Sequence, residues 1–189
     1  KKVHVIDILP GGVVTGKGTA EIALSEEGEF IRSPEQDIVK IAVIERHHGT
    51  GNVGLGLLRG YGIKSGAVAL SVAHDSHNII TVGTNDEDMV LAVENLVKQG
   101  GGIILVNNGE VINSMPMVVG GIMSDRPGEW VSEKLAQIHN DAYDKLGINK
   151  EIEPVMTLCF MSLPVIPEIK LTDKGLFDVT QQAFIPIEA

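Results

Sequence analysis

The chain has 189 residues, 43% of them hydrophobic, and a formal net charge of −10 at pH 7. This length suffices for one domain with its own hydrophobic core. Lysine and arginine never form a run of more than two residues, which argues against nucleic-acid binding and against a polybasic membrane-binding surface. No apolar run approaches the roughly 18 residues that a membrane-spanning helix needs.

The single cysteine and the first residues of the chain indicate the cellular compartment. The single cysteine, Cys159, has no partner for an internal disulfide. It lies in the apolar segment "VMTLCFM", so we expect a buried, inert thiol rather than a nucleophile. The start of the chain lacks the apolar stretch of a signal peptide, and we therefore expect a cytoplasmic protein.

The first third of the chain is dominated by strand signals. Alternating apolar and polar residues predict a strand over 3–8, and segments 12–24 and 37–45 predict two more. The strand over 67–73 has larger apolar side chains on one face and small ones on the other. We expect another element to pack closely against the small-residue face.

Helix signals occur in the middle of the chain. Thr84 and Glu87 have the spacing of a capping box, and acidic and apolar residues then fit a helix over 85–98. The segment 107–109, Asn-Asn-Gly, predicts a hairpin between two strands. A second apolar stripe predicts a helix over 128–146.

The last part of the chain has the signals of extended structure. The apolar run over 155–161 predicts a buried strand. Pro164 and Pro167 lack a backbone donor, so we expect residues 164–189 to form an extended tail over the domain. Strands outnumber helices. The sequence therefore predicts a single α+β domain over 1–189, with a mixed, largely antiparallel sheet and packed helices, and without a TIM barrel.

The segment 49–54, "GTGNVG", matches the glycine pattern of dinucleotide-binding proteins. That pattern requires a helix that starts at the third glycine. The third glycine here is Gly54, and Gly56, Gly60 and Gly62 lie in the segment where the helix would form, although glycine disfavours helices. A tight loop or close backbone packing is the favoured interpretation.

Two groups of polar residues stand out as candidate sites. The first comprises Arg46, His47 and His48, at the end of a predicted strand. Adjacent side chains on a strand point to opposite faces, so both histidines cannot bind one ion there. Either one of these residues contacts a substrate or partner, or the group is a solvated strand end.

The segment 74–78, His-Asp-Ser-His-Asn, is the densest polar cluster in the sequence. Its residues alone leave three interpretations open. The first is a metal site through the His-x-x-His spacing. The second is a polar site that faces a reaction centre or an interface, in which Asp75 fixes the tautomer of a neighbouring imidazole. The third is a turn whose side chains satisfy backbone donors.

Three long segments resemble the adenine deaminase family, specifically the domain that comes after its catalytic barrel. They are "HDSHNIITVGTNDEDM", "GGIILVNNGEVINSMPMVVGGIMSD" and "SLPVIPEIKLTDKGLFDV", and they occur in the family's order and spacing. Weaker agreement extends from "VIDILPGGVVTG" through "RSPEQDIVKIAVIERH" and "GYGIKSGAVALSVA". The resemblance thus spans nearly the whole chain and rests on contiguous stretches rather than on a short motif.

The resemblance implies an enzyme of purine salvage that hydrolyses adenine to hypoxanthine and ammonia. The family belongs to the amidohydrolases, with a divalent-metal centre, manganese or iron, in a TIM-type barrel, where a metal-bound hydroxide attacks the purine. Its metal ligands include a His-x-His pair, which this sequence lacks. The chain is also too short for a barrel of about 250 residues. We therefore expect no metal ligand and no cofactor in this chain. The start at Lys1, inside a strand-like segment, agrees with the C-terminal part of a longer protein.

In the two-domain enzyme that the resemblance implies, the cluster is expected to face the mouth of the barrel. His74 and His77 are then auxiliary catalytic or proton-relay groups, and Asp75 orients one of them. Asn78 holds the turn or contacts the base, while Arg46 and His47 are candidates for substrate or interface contacts.

The expected partners are the barrel domain, adenine and further copies of the same protein in a homo-oligomer. The alternative is a non-catalytic interface or oligomerisation module. The small-residue face of 67–73 and Gly120-Gly121 support that alternative, because both suit close packing.

Overall fold

The computed structural model describes all 189 residues as a layered α+β structure with 13 strands and three α-helices. The strands are β1 (Lys2–Ile8), β2 (Thr15–Glu21), β3 (Ala23–Leu24), β4 (Phe30–Ile31), β5 (Ile38–Ile44), β6 (Val53–Arg59), β7 (Ala67–Leu70), β8 (Ile79–Gly83), β9 (Gly102–Asn107), β10 (Glu110–Pro116), β11 (Ile169–Thr172), β12 (Gly175–Asp178) and β13 (Ala183–Phe184). The helices are α1 (Asp86–Lys98), α2 (Gly128–Asp144) and α3 (Pro154–Cys159). None of them is both long and apolar enough to cross a bilayer.

Eight strands form one central sheet in the order β10-β9-β7-β8-β5-β6-β1-β2. All neighbours are antiparallel except β1 and β6, which are parallel. The sheet does not close into a barrel. These observations confirm the predicted α+β class, the mixed and largely antiparallel sheet, and the absence of a TIM barrel. Two short sheets, β3-β4 and β11-β12-β13, accompany the central one.

Helix α1 packs against the small-residue face of β7, as the alternation in that strand predicts. Ala67 and Ala69 are fully buried against Ala92 and Leu96 of the helix. The helix begins one residue later than the predicted capping box. Asn85, not Thr84, is the N-cap, and its side-chain oxygen accepts from the backbone N–H of Asp88 at 2.7 Å.

The opposite face of the sheet carries the larger core. It is covered by α2, α3 and the hairpin β11–β12, which contribute buried side chains such as Ile138, Leu158 and Leu171. The segment 164–189, predicted as an extended tail, thus includes a three-stranded sheet whose inner residues are part of this core.

The segment 155–161 is a helix and an irregular turn, so the predicted strand is wrong. Glu153 caps the helix by accepting from the backbone N–H of Met156, and Pro154 occupies the first turn, where a missing N–H costs nothing. Val155, Leu158 and Cys159 share the buried face at helical spacing. The predicted burial of Cys159 is confirmed, and it raises the pKa of the thiol to about 12, which disfavours the nucleophilic thiolate.

The glycines of β6 allow the hairpin β11–β12 to lie directly on the sheet. A Cβ atom at Gly54 would collide with the backbone carbonyl of Thr172, and one at Gly56 would touch the side chain of Leu171. The sequence after Gly49-Thr50-Gly51 is therefore a strand rather than the helix of a dinucleotide site. Close backbone packing, the favoured interpretation of this glycine pattern, is confirmed.

We expect Gly54→Ala to destabilise the protein by about 1–3 kcal/mol, because the methyl group overpacks against a backbone atom that cannot rotate away. Gly128→Ala is the matched control, since nothing lies within 4 Å of its Cβ position in the first turn of α2. Urea denaturation measures both free energies of unfolding. Equal values for the two variants would show that the hairpin does not constrain Gly54.

Candidate functional site

Six of the residues singled out in the sequence meet at one end of the central strands. Strand β7 ends at Leu70 and β8 begins at Ile79, so the intervening residues turn at this end. Strand β5, the neighbour of β8, finishes at the same end with Ile44. We call residues 73–78 the histidine turn. The structure brings together, within this turn and at the end of β5, Arg46, His47, His74, Asp75, His77 and Asn78.

Backbone and side-chain hydrogen bonds hold the histidine turn in shape. The N–H of His74 donates to the carbonyl of Cys159 at 2.9 Å, which ties the turn to the end of α3. The N–H of His77 donates to the carbonyl of Ala73 at 2.5 Å, and His77 has a left-handed backbone with φ of +51°. The hydroxyl of Ser76 accepts from the N–H of Asn78 at 3.3 Å. The turn interpretation of this segment thus describes its local structure well.

Asn78 has a structural contact in the turn. Its side chain is only 5% exposed, and its Oδ1 accepts a long hydrogen bond from the backbone N–H of Arg46 at 3.4 Å. This geometry suits the first of its two predicted roles, holding the turn. Contact with a base stays a prediction.

The two imidazoles of the turn lie side by side. The ring centroids of His74 and His77 are 5.9 Å apart at an interplanar angle of 71°, and the ring of His74 also lies 4.7 Å from that of Phe160. Both histidines are half-buried, whereas Asp75 and Ser76 are exposed. The cluster therefore presents a partly desolvated pair of imidazoles beside an accessible carboxylate.

Burial lowers the pKa of His77 below its ordinary value of 6.5, and the positive charges that His74 and Arg46 can carry lower it further. The carboxylate of Asp75 partly opposes this effect. His77 is consequently a neutral imidazole at pH 7, with one ring nitrogen able to donate and the other able to accept a hydrogen bond. Its Nδ1 atom is buried and has no hydrogen-bond partner within the chain.

Arg46 joins three segments at this end of the strands. Its Nε donates to the carbonyl of His77 at 2.5 Å, and its Nη2 donates to the carbonyl of Gly120 at 2.9 Å. The guanidinium is thus engaged with backbone oxygens. His47 is bound in a similar way, since its Nε2 lies 2.7 Å from the carbonyl oxygen of Ser76. Substrate or interface contact by either residue stays a prediction, but both brace the histidine turn.

A second loop completes the site and was not predicted as part of it. We call residues 117–123 the methionine loop. The buried hydroxyl of Ser71 donates to the carbonyl of Gly121 at 2.5 Å and accepts from the N–H of Gly102 at 2.7 Å. The paired glycines Gly120-Gly121 were the sequence signal that could have predicted this contact, because they indicated close approach to another backbone. The loop leaves Val118, Val119 and Met123 exposed.

The chain offers no group of three or more histidine, cysteine, aspartate or glutamate side chains that could hold a metal ion. His74 and His77 lie near each other, but a zinc-type site needs at least a third protein ligand. The residues present therefore do not fit the divalent metal that the resemblance implies.

Comparison with known proteins identifies the family. The sequence model of the adenine deaminase C-terminal domain matches residues 12–183. The chain belongs to the adenine deaminase C-terminal domain family. It is 63% identical over 188 residues to adenine deaminase 2 of Desulfotalea psychrophila, 49% identical over 184 residues to adenine deaminase of Nitratidesulfovibrio vulgaris, and 44% identical over 187 residues to adenine deaminase of Ligilactobacillus salivarius.

This C-terminal domain family member matches only part of each relative. The alignments cover 97–100% of the chain but 32–33% of the relatives, so the chain spans about a third of their length. The segments on which the resemblance rests lie within or overlap the matched range. They include the histidine turn and the methionine loop.

We expect Arg46→Met to lower the free energy of unfolding by about 1.5–3 kcal/mol, because it removes two charge-assisted hydrogen bonds to backbone carbonyls. Arg126→Met is the control: Arg126 is exposed and only stacks over the ring of Trp130. Urea denaturation of both variants measures the difference. A loss no larger than that of the control would contradict the bracing role.

The lowered pKa of His77 predicts a pH dependence of stability. The unfolded chain binds a proton at His77 near pH 6.5, while the folded chain does so only at lower pH, so stability falls as the pH falls through 6.5. We expect the wild type to lose more stability than His77→Asn between about pH 8 and about pH 5. Asparagine tolerates the left-handed backbone of this position. Urea denaturation at several pH values tests this, and parallel curves for the two proteins would refute it.

Proposed function

We propose that this chain is the C-terminal part of an adenine deaminase, which converts adenine and water to hypoxanthine and ammonia. The histidine turn then lies against the active site, which is held by the rest of the enzyme. The observation that carries the proposal is the family match over residues 12–183, together with relatives that bear the name adenine deaminase and are about three times as long as the chain.

Under this proposal the residues that hold the divalent metal, manganese or iron, lie outside this chain, and the metal would supply the activation of water for hydrolysis there. The chain contributes polar groups and shape. His77 is neutral at pH 7 and can exchange a hydrogen bond with a purine nitrogen or with an adjacent proton-transfer group. Asp75 is exposed at the tip of the turn, from where it can orient an imidazole or a water molecule.

The hydrogen bonds of Arg46 and His47 to carbonyls of the turn support this role, because they hold the turn in position before substrate arrives. Side chains that act on a substrate need a fixed position, since misplacement of about 1 Å costs about a hundredfold in rate. The turn is anchored to the end of α3 and to Arg46, just after β5, and Arg46 in turn also binds the methionine loop. A solvated loop without function has no need of such bracing.

A non-catalytic interface module is the second candidate. The observation that favours it is the exposure of Val118, Val119 and Met123 on the methionine loop, next to the histidine turn. Exposed apolar side chains that lie close together are typical of a contact surface. In this case the turn fixes the geometry of an interface, and its histidines take no part in the reaction.

Substitution of the histidines in the full-length enzyme separates the two candidates. We expect His74→Ala and His77→Asn each to lower kcat/KM for adenine by about tenfold or more, because general acid–base groups contribute at least that much. His48→Ala is the control, since His48 is exposed and lies outside the turn. Ammonia release measures activity, and size-exclusion chromatography measures assembly.

Unchanged kcat/KM in both histidine variants, with altered assembly, would favour the interface module. The purified 189-residue chain with added manganese is a second control and should release no ammonia. Ammonia release by this chain alone would contradict an active site held elsewhere.

A further inference from the structure

The face of the sheet that carries α1 is only partly covered. An open groove of about 350 Å³ runs between α1 and the strands β5 and β6. We call it the apolar groove. Its walls include Ala42, Ile44, Val53, Leu55, Val90 and Val93. Three of these side chains are more than half exposed: Val53 at 51%, Leu55 at 61% and Val90 at 57%.

The groove results from the dimensions of the layers. One helix is about 10 Å wide and strands lie about 4.8 Å apart, so a single helix covers two or three strands. Helix α1 packs on β7, β8 and β9 and leaves open the ends of β5 and β6 that carry Ile44 and Val53. The opposite ends of these strands, at Ile38 and Leu57, are buried. The glycines of β6 face the hairpin β11–β12, which places Val53 and Leu55 on the side of the groove.

Helix α1 also has apolar side chains that the domain leaves exposed. Met89, Ala92 and Leu96 point to the sheet and are buried. Val90 and Val97, seven residues apart and thus on one side of the helix, are exposed. Polar groups frame the groove, since Lys40 and Asp86 form an ion pair at 2.6 Å and Glu94 lies in the wall. An apolar centre with a polar rim is the usual composition of a protein interface.

The length of the relatives indicates what fills the apolar groove: a part of the longer protein. About two-thirds of their length lies outside the region that this chain matches. A second copy that places its groove on the two-fold axis fits less well, because such a contact brings the same surface together from both sides. Two concave grooves that face each other would leave a void rather than a packed core.

The groove also leads to the histidine turn. Ile44 and Val53 are partners at the end of the β5–β6 ladder, and the loop between them carries Arg46 and His47. Both residues bind carbonyls of the histidine turn. A segment seated in the apolar groove is therefore adjacent to the loop that braces the candidate site.

We propose that the apolar groove seats a convex apolar element from the part of the adenine deaminase chain outside these 189 residues. The proposal rests on the proposed function in that it takes the chain to be part of a longer adenine deaminase. It adds the surface by which the two parts join and thereby bring the histidine turn to the active site.

Thiol labelling of the full-length enzyme tests this surface. Leu55→Cys puts a thiol in the groove, and Val165→Cys puts one at a position of similar exposure, 70%, outside it. Cys159 is buried and stays unreactive in the folded protein. The rate of alkylation at each position is read by peptide mass spectrometry and divided by the rate in urea. We expect labelling at position 55 to be slowed about tenfold or more relative to position 165.

Equal normalised rates at the two positions would overturn the proposal. Protection that vanishes when the enzyme is diluted to the monomer would also overturn it, because a second copy would then be the occupant. A different result would contradict the proposed function while leaving the docking surface intact. Protection at position 55 combined with fully active His74→Ala and His77→Asn enzymes would retain the docking surface and remove the catalytic role of the turn.

Discussion

The guanidinium of Arg46 is the interaction on which the candidate site depends. A buried or half-buried guanidinium needs partners for its donors, and here backbone carbonyls of His77 and Gly120 supply them. These carbonyls belong to segments more than 40 residues apart in sequence. One side chain at the end of β5 therefore sets the relative positions of the histidine turn and the methionine loop. The hydroxyl of Ser71, the residue after β7, makes a comparable link to Gly121.

The unequal covering of the two sheet faces connects the fold to the function. One face is covered by α2, α3 and the hairpin β11–β12, and it contains the larger core. The other face is covered by α1 and, near Ile38 and Leu57, by residues such as Ile22 and Phe30, so that only part of it stays open as the apolar groove. The open part lies at the same end of the strands as the histidine turn. The histidine turn is tied to the more fully covered side, because His74 donates to the carbonyl of Cys159 and its ring lies against Phe160. The side with less covering is the one that can receive another domain.

Much of the fold was predictable because its signals are local. The alternation of β7 predicted a closely packed neighbour, and α1 fills that place through Ala92 and Leu96. The prediction for segment 155–161 failed because a short buried helix and a buried strand share the same apolar composition. The decisive signal was the polar start of the helix, Glu153 before Pro154, which outweighs the apolar run that comes after it.

Most residues of the candidate site were predictable from the sequence, but the contacts between them were not. The density of polar residues in 74–78 identified the turn, and the strand end identified Arg46 and His47. Ser71 and the methionine loop were missed as parts of the site, because their contacts join residues about 50 positions apart. The resemblance to the adenine deaminase family, carried by long contiguous segments, supplied the functional context that spacing alone left open.

The sequence by itself determined the class of fold, the family and the chemical types at the site, since these depend on periodicity, composition and contiguous motifs. Only the tertiary structure decided that Arg46 braces the turn, that the imidazole of His77 is half-buried, and that a groove beside α1 stays open. These properties depend on which distant segments meet and on how much water their meeting excludes. No local pattern encodes that geometry, because it results from the packing of the whole chain.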